Sequence, residues 1–368
     1  MNAPNRRPRG TQARIDAAAL AHNLRAVQTA APRSRVIAVV KADAYGHGAV
    51  RCAKALDAAG ADALGVALVE EGAALREAGL SGRMLAFGGR YDEVVRLRLE
   101  PFVFRLEHLD GLDAAARAAG EVLPVHLKVD TGMGRIGVQP EEVAGFLDAL
   151  AARPALRLAG LCSHFANADL ADAALTRAQV ARLLGVAALA RARGHAPEVH
   201  LANSAAIFSL PEAHLDAVRP GLALYGASPA PHLTADLRPV LTWATEVTHL
   251  KTVPVGTPIS YGSRWRAARP SVIATLPIGY ADGYPRAYTN NAFVLVRGRR
   301  APIVGTVCMD MCMADVTDVP GADVGDEVVL LGAQGLARVT VEELAQRAGT
   351  ISYEVFCRIG ARVPRVDG

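Results

Sequence analysis

The runs RVIAVVK (35–41) and ALGVAL (63–68) are uninterrupted apolar stretches of strand length. Neither alternates with polar residues, which is how strands buried on both faces read, and such strands belong to parallel sheets covered by helices. The same texture recurs in RMLAFGG (83–89), EPFVFR (100–105), LPVHLKVD (123–130), LRLAGLCSHF (156–165), EVHLANS (198–204) and VRPGLALYG (218–226). Amphipathic stretches separate them; within 175–193, Val180, Leu183, Leu184 and Ala187 fall at helical spacing. Eight strands alternating with helices have the count and size of a (βα)8 TIM-like barrel. A doubly wound sheet is the other architecture this periodicity allows. DAAALAHNLRAVQTA (16–30) predicts a further helix ahead of the first strand.

After Pro239 the texture changes. WATEVTHLKTV (243–253), SVIATLPIGY (271–280), AFVLVRGRRAPIVGTV (292–307), DEVVLLG (326–332) and EVFCRIGARVPRV (354–366) read as strands punctuated by Gly, Pro and Asp. Only VEELAQRAG (341–349) reads as a helix. The expected layout is a basic, disordered arm at 1–10, a barrel at 11–238 and a mostly antiparallel β domain at 239–368.

Composition narrows the function. With 51% hydrophobic and 21% charged residues, the 368-residue chain can bury a large core, which excludes intrinsic disorder. No apolar run approaches the roughly 18 residues that cross a bilayer. The basic start MNAPNRRPRG is followed by no apolar segment, so a secretory signal is not expected and the cytoplasm is. Five cysteines without a C-x-x-C pair argue against a disulfide framework and a structural zinc site, and no metal is expected. The net charge of +4 comes from Arg6, Arg7, Arg9 and Arg14, leaving a balanced body with no nucleic-acid or membrane partner in view.

Lys41, Lys54, Lys128 and Lys251 are the only lysines among 40 basic residues. Where arginine fills almost every cationic position, a retained lysine can do what arginine cannot, such as forming a Schiff base. Lys41 ends the first apolar run, where it is either a strand-end ion pair or such a lysine. The fifth run carries Lys128 near its end and leads on to Arg135, the sixth ends near His164 and the seventh at Ser204; Arg219 and Gly221 open the eighth. Ser204 is either a helix N-cap or a phosphate donor beside Gly221. A Schiff-base lysine with a phosphate cradle points to pyridoxal 5'-phosphate (PLP).

AVVKADAYGHG (38–48), KVDTGMGRIG (128–137), HFANAD (164–169), VRPGLALYG (218–226), SYG (260–262), PIGYADGYPR (277–286) and CMD (308–310) resemble, in order, the motifs of the alanine racemase family. The resemblance implies that Lys41 binds PLP and acts as base on one face of the substrate Cα. It implies that Tyr261 acts on the opposite face, contributed by the β domain of the second subunit of a head-to-tail homodimer. Two groups are required because one group returning the proton to its own face regenerates the same enantiomer. A free tyrosine has a pKa near 10, so Tyr261 needs cationic neighbours, for which His164 and Arg219 are the candidates. Without the other motifs Tyr261 reads as a packed strand-end tyrosine and Arg219 as an ion-pair partner.

In the family's pattern Arg219 faces the pyridine nitrogen. Arginine cannot hand over a proton, so the ring stays a weak electron sink and prompt reprotonation is favoured. The resemblance places Arg135 on the PLP phenolic oxygen and the substrate carboxylate, positioned by Lys128 carrying an N6-carboxyl group from CO2. Tyr45, Ser204, Gly221, Leu222 and Tyr353 match phosphate ligands, His164 lies among the cofactor contacts, and Met309 meets the substrate through its backbone. Asp169, Tyr280 and Arg286 match an entrance corridor. There the sequence departs from the family: Thr306 stands where arginine is usual. The implied activity is interconversion of L- and D-alanine for peptidoglycan. The alternatives are a broad-specificity racemase, a decarboxylase of the same layout, or a non-catalytic PLP-binding protein. Cys308 and Cys312 read as small buried apolar residues.

Overall fold

The computed structural model describes residues 10–91 and 93–368, so most of the expected basic arm lies outside the described residues. Two compact units divide the chain, one spanning 18–238 and the other joining the N-terminal segment to 239–368.

In the first unit, helix α1 (Ala17–Ala30) precedes eight strands: β2 (Arg35–Val39), β3 (Ala63–Val66), β4 (Met84–Ala86), β5 (Glu100–Val103), β6 (Leu123–Lys128), β7 (Leu156–Cys162), β8 (Glu198–His200) and β9 (Ala217–Val218). Each pairs in parallel with its neighbour, and β2 closes on β9, so the sheet is a closed barrel and not a doubly wound sheet. Helices α2 (Ala49–Ala58), α3 (Val69–Glu77), α4 (Leu106–Ala119), α5 (Val143–Ala151), α6 (Ala174–Ala192) and α7 (Ser204–Ser209) connect the strands. Val36, Ile37, Ala38 and Val39 are all buried, which explains the absence of alternation in the run that carries them. On α6, Val180, Leu183 and Ala187 are buried as the spacing predicts, whereas Leu184 faces solvent. The run expected as an eighth strand over 218–226 is shorter: Pro220 and Gly221 end pairing at Val218, and Leu222–Tyr225 form a 3-10 turn.

In the second unit, β1 (Gln12–Ile15) pairs antiparallel with β10 (Leu241–Glu246) and parallel with β20 (Arg365–Asp367). The segment from residue 11 was expected in the barrel; its backbone hydrogen bonds instead go to the C-terminal sheet. That sheet also holds the hairpin β15 (Phe293–Val296) and β16 (Arg299–Pro302), then β18 (Glu327–Gln334) with β19 (Ala337–Val339) on its flank. A smaller antiparallel sheet contains β11 (His249–Val253), β14 (Ser271–Leu276) and β17 (Cys312–Asp315), and β12 (Pro258–Ile259) pairs with β13 (Trp265–Arg266). Besides α8 (Val341–Ala348), residues Ser352–Arg358 form α9, although EVFCRIG was read as a strand. Val355 and Phe356 bury side by side while Glu354 pairs with Arg358 one turn on, so helical contacts override the β propensity of Val and Phe. Among the described residues no helix is long and apolar enough to cross a membrane.

Candidate active site

Lys41 leaves the end of β2 into an unusual turn. Ala42, Asp43, Ala44 and Tyr45 all have φ near +53° and ψ between 41° and 52°, one left-handed helical turn made without glycine. L-residues resist this conformation by about 1–2 kcal/mol each, so the turn stores on the order of 4–8 kcal/mol. Specific bonds hold it. The Ala42 amide donates to Glu71 Oε1 (2.7 Å), the Asp43 carboxylate accepts from the Ala49 amide (2.6 Å), and Ala44 N donates to Val40 O (2.9 Å). His47 Nδ1 lies 3.0 Å from Ala44 O and 2.9 Å from Tyr45 O. Both partners are carbonyls, so Nδ1 carries the proton. The result is a half-buried Lys41 at the strand end and a buried Tyr45 ring 4.9 Å from that of Tyr225. Backbone strain of this size persists where the surroundings over-determine it, which is typical of ligand-holding turns.

Ser204 and Gly221 meet beneath that tyrosine. Asn203, not Ser204, caps α7, its Oδ1 accepting from Ala206 N at 3.1 Å. Ser204 Oγ instead accepts from the amides of Gly221 (3.0 Å) and Ala223 (3.2 Å), leaving its own proton to donate. Gly221 has to be glycine, because a Cβ there would stand 2.3 Å from Tyr45 Oη. The structure thus brings Tyr45, Ser204, Gly221 and Leu222 together. Tyr353 lies in the other unit, exposed in the first turn of α9.

Arg219, 6% exposed, sits just past β9. Nη1 donates to His200 Nδ1 (2.6 Å) and His200 O (2.8 Å); Nη2 donates to Ser163 O (2.6 Å) and lies 3.4 Å from His164 Nδ1. The chain continues through the barrel interior: His200 Nε2 is 2.9 Å from His126 Nδ1, and His126 Nε2 is 2.8 Å from Glu100 Oε2. Arg83 closes it, reaching Glu100 and Glu198 at 2.8 Å each. The ends fix the protons. Glu100 accepts from His126 Nε2, so His126 Nδ1 accepts from His200 Nε2, whose Nδ1 accepts from Arg219. Burial holds His126, His200 and His164 below the ordinary imidazole pKa, and the charge of Arg219 reinforces this for His200 and His164. For Glu100 burial acts upward, but the bonds from His126 and Arg83 outweigh it and hold the carboxyl at about 2. The sequence reading identified Arg219 and His164 but missed His126, His200, Glu100 and Arg83. Their signal was a histidine in mid-run in LPVHLKVD and EVHLANS, and the charged residue that opens each of RMLAFGG and EPFVFR.

Lys128 ends β6 with its Nζ buried and without a hydrogen-bond partner among the described residues. Burial, aided by the charges of Arg219 and Arg135, pushes its pKa down to about 8. The loop onward to Arg135 is shaped by the Asp130 carboxylate, which accepts from the amides of Gly132, Met133 and Gly134 at 2.9–3.0 Å. Arg135 itself is exposed, as is Asp169 beyond β7.

In the second unit the Tyr261 side chain is 73% exposed. Met309 and Tyr280, both exposed, are neighbours through the main chain: Tyr280 N donates to Cys308 O (3.1 Å) and Ala281 N to Met309 O (3.0 Å). Arg286 is exposed in the short turn that follows. Thr306 and Cys312 are buried; Cys308 is only partly so, with its Sγ 3.3 Å from Ser260 Oγ.

Comparison with known proteins accounts for both units. Residues 15–229 match the alanine racemase N-terminal domain and residues 240–367 its C-terminal domain. The chain belongs to the alanine racemase family. Members are isomerases, and so is this chain. It is 48% identical over 353 residues to the alanine racemase of Syntrophobacter fumaroxidans, covering 94% of each chain. It is 46% identical to that of Halothermothrix orenii over 97% of this chain and 96% of the other. The crystal structure of alanine racemase from the D-cycloserine producer Streptomyces lavendulae superposes with a TM-score of 0.94 at 41% identity, over 98% of both chains.

Proposed function

We propose that the protein interconverts L- and D-alanine with PLP, using Lys41 and Tyr261 as proton-transfer groups on opposite faces of the substrate Cα. The observation that carries this reading is the setting of Arg219, a buried cation whose Nη1 and Nη2 face neutral acceptors and which has no carboxylate against it among the described residues. The barrel residues fit PLP. Lys41 offers an amine, Ser204 and the Gly221–Leu222 backbone meet where a Cβ on residue 221 would strike the Tyr45 hydroxyl, and Arg219 offers a cation that does not give up its proton. Bound there, PLP would supply an electron sink for the Cα charge.

The chain's own groups do the rest. Ser204 would donate its free hydroxyl proton to the phosphate, with the Gly221 and Leu222 backbone and Tyr45 beside it, and Tyr353 matches a further phosphate ligand of the family. Burial lowers the pKa of Arg219, but from so high a starting value that it stays charged, and His200 can only accept from it. His164, held neutral, lies against Arg219 as a cofactor contact. Arg135 binds the substrate carboxylate. Lys128, with a pKa near 8, is neutral often enough to react with CO2, and the resulting carboxylate would orient Arg135. Tyr261 serves the L face and is supplied by a second subunit, a reading supported by its exposure alongside Tyr280, Met309 and Met311. Met309 would meet the substrate carboxylate through its backbone; Asp169, Tyr280 and Arg286 line the way in. A cytoplasmic homodimer supplying D-alanine to peptidoglycan is the role this reading implies.

The deciding experiment follows optical-rotation loss of L-alanine, L-serine and L-lysine alongside the visible absorbance of the same sample. A PLP band with rapid loss for alanine alone is expected, with both lost in Lys41→Ala. Comparable loss for all three substrates would make it a broad racemase, and a PLP band without turnover would refute the reading.

A further inference from the structure

The position where the family pattern has arginine does something else in this chain. Tyr261 follows Ser260, whose φ of +65° and ψ of −176° lie in a region essentially reserved for glycine. Gly262 and Ser263 also have positive φ, so the tyrosine is carried on a turn that its own backbone preferences would not hold. Thr306 holds it. Its Oγ1 donates to Tyr261 O at 2.7 Å, and its carbonyl accepts from Ser260 Oγ at 2.6 Å, so two consecutive residues and one threonine exchange a reciprocal pair of bonds. The close approach requires Gly305, where a Cβ would stand 2.6 Å from Ile259 O. Asn290 ties the far end of the same turn, accepting from Gly305 N (2.6 Å) and donating to Arg264 O (3.1 Å).

We propose that Thr306 is a positioning residue for Tyr261, clamping the Ser260–Tyr261 main chain so that the exposed phenol is presented in one place. The inference rests on the reading of Tyr261 as the proton-transfer group for the L face. Thr306 is 1% exposed, and its β-branched side chain puts the donor on a stiff, one-bond stem. An arginine would carry its donors at the end of a long flexible chain, so this chain has a brace where the family usually has an entrance cation. Because Tyr261 is fixed through its carbonyl and not through its ring, the clamp sets its placement without changing its chemistry.

The test is exchange of the alanine Cα proton with D2O, followed by NMR on PLP-loaded protein for each enantiomer separately. Tyr261→Phe is the reference and should lose exchange of L-alanine while keeping that of D-alanine. Thr306→Val keeps the shape and removes the donor. It should slow L-alanine exchange about tenfold and leave D-alanine within about twofold, since small misplacement of a reacting group carries large rate losses. Thr306→Ser should restore the parent ratio. Ser260→Ala removes the return bond and should shift the ratio the same way by about threefold, which carries the test if Thr306→Val does not fold. An unchanged L-to-D ratio in Thr306→Val, or in Ser260→Ala where only that variant folds, overturns the proposal; so does equal impairment in Thr306→Ser. Retained L-alanine exchange in Tyr261→Phe would instead refute the role of Tyr261 itself.

Discussion

Arg219 and Tyr261 are held in opposite ways. Arg219 is enclosed, and a chain of side chains reaches from it through His200, His126 and Glu100 to Arg83, each proton position following from the next. Tyr261 is held by its main chain alone, at the tip of a strained turn, with most of its side chain in solvent. Burial by itself disfavours the charge of Arg219, so the acceptors around it are what offset that cost, and in the dry interior each of those bonds is stronger than it would be in water. In the proposed role Tyr261 takes up and releases a proton, which needs its phenol free and leaves the restraint to its backbone. The barrel holds its cation with its own residues, whereas the exposed tyrosine fits the proposal that a second subunit completes its site.

The sharpest test of that last point co-expresses Lys41→Ala and Tyr261→Phe in equal amounts. Each variant alone should be inactive. If Tyr261 serves the partner's site, mixed dimers contain one intact site of two, and the mixture should recover about a quarter of parent racemisation, as random pairing in a two-fold dimer requires. No recovery on an optical-rotation assay of the mixture would mean that lysine and tyrosine act within one chain.

Glu100→Gln tests whether the barrel chain bears on stability. The substitution removes the anionic acceptor for His126 and one of the two partners of Arg83, and should cost about 1.5–3 kcal/mol by urea denaturation at neutral pH. The pH dependence has a definite sign. His126 and His200 are depressed in the fold, so below about 6.5 the unfolded chain takes up protons that the native chain does not. Stability is therefore full above about 6.5 and lost progressively below it. Glu100 adds a second loss lower down, present above its ordinary 4.5 and gone as pH falls through about 2, and that step should vanish in Glu100→Gln. A cost under about 0.5 kcal/mol with an unchanged acid profile would mean that the chain does not bear on stability.

Lys128 gives the smallest expected effect. Stripping CO2 at pH 8 should lower turnover by up to about tenfold, the worth of one charge-assisted bond to Arg135, and bicarbonate should restore it. A carbamate carbon signal on adding 13C-bicarbonate should accompany the recovery. Turnover indifferent to bicarbonate, with no such signal, would leave Lys128 as an unpaired buried amine.

Most of the barrel was legible because parallel strands covered on both faces must be apolar throughout, and RVIAVVK or ALGVAL admits few other readings. Residues at strand ends stood out for the same reason, since Lys41, Lys128 and Arg219 interrupt such runs. The β1 strand was not legible: QARI is too short to show a period, and its partners lie more than two hundred residues away. Nor was α9, where local propensity favoured a strand and burial favoured a helix. Ser204 illustrates a finer limit, because a serine beside a helix start is equally a cap, and only the arriving amides of Gly221 and Ala223 show otherwise.

The sequence by itself determined the alternation of strands and helices, the change of texture after Pro239, and which residue types stand where a barrel places its chemistry. These are local properties, set by side-chain polarity and period. Tertiary structure alone decided that the sheet closes, that His126 and His200 link Arg219 to Glu100, and that Thr306 braces Tyr261. Each of these joins residues distant in the chain through hydrogen bonds a few ångströms long, and no local pattern encodes which distant donor will meet which acceptor.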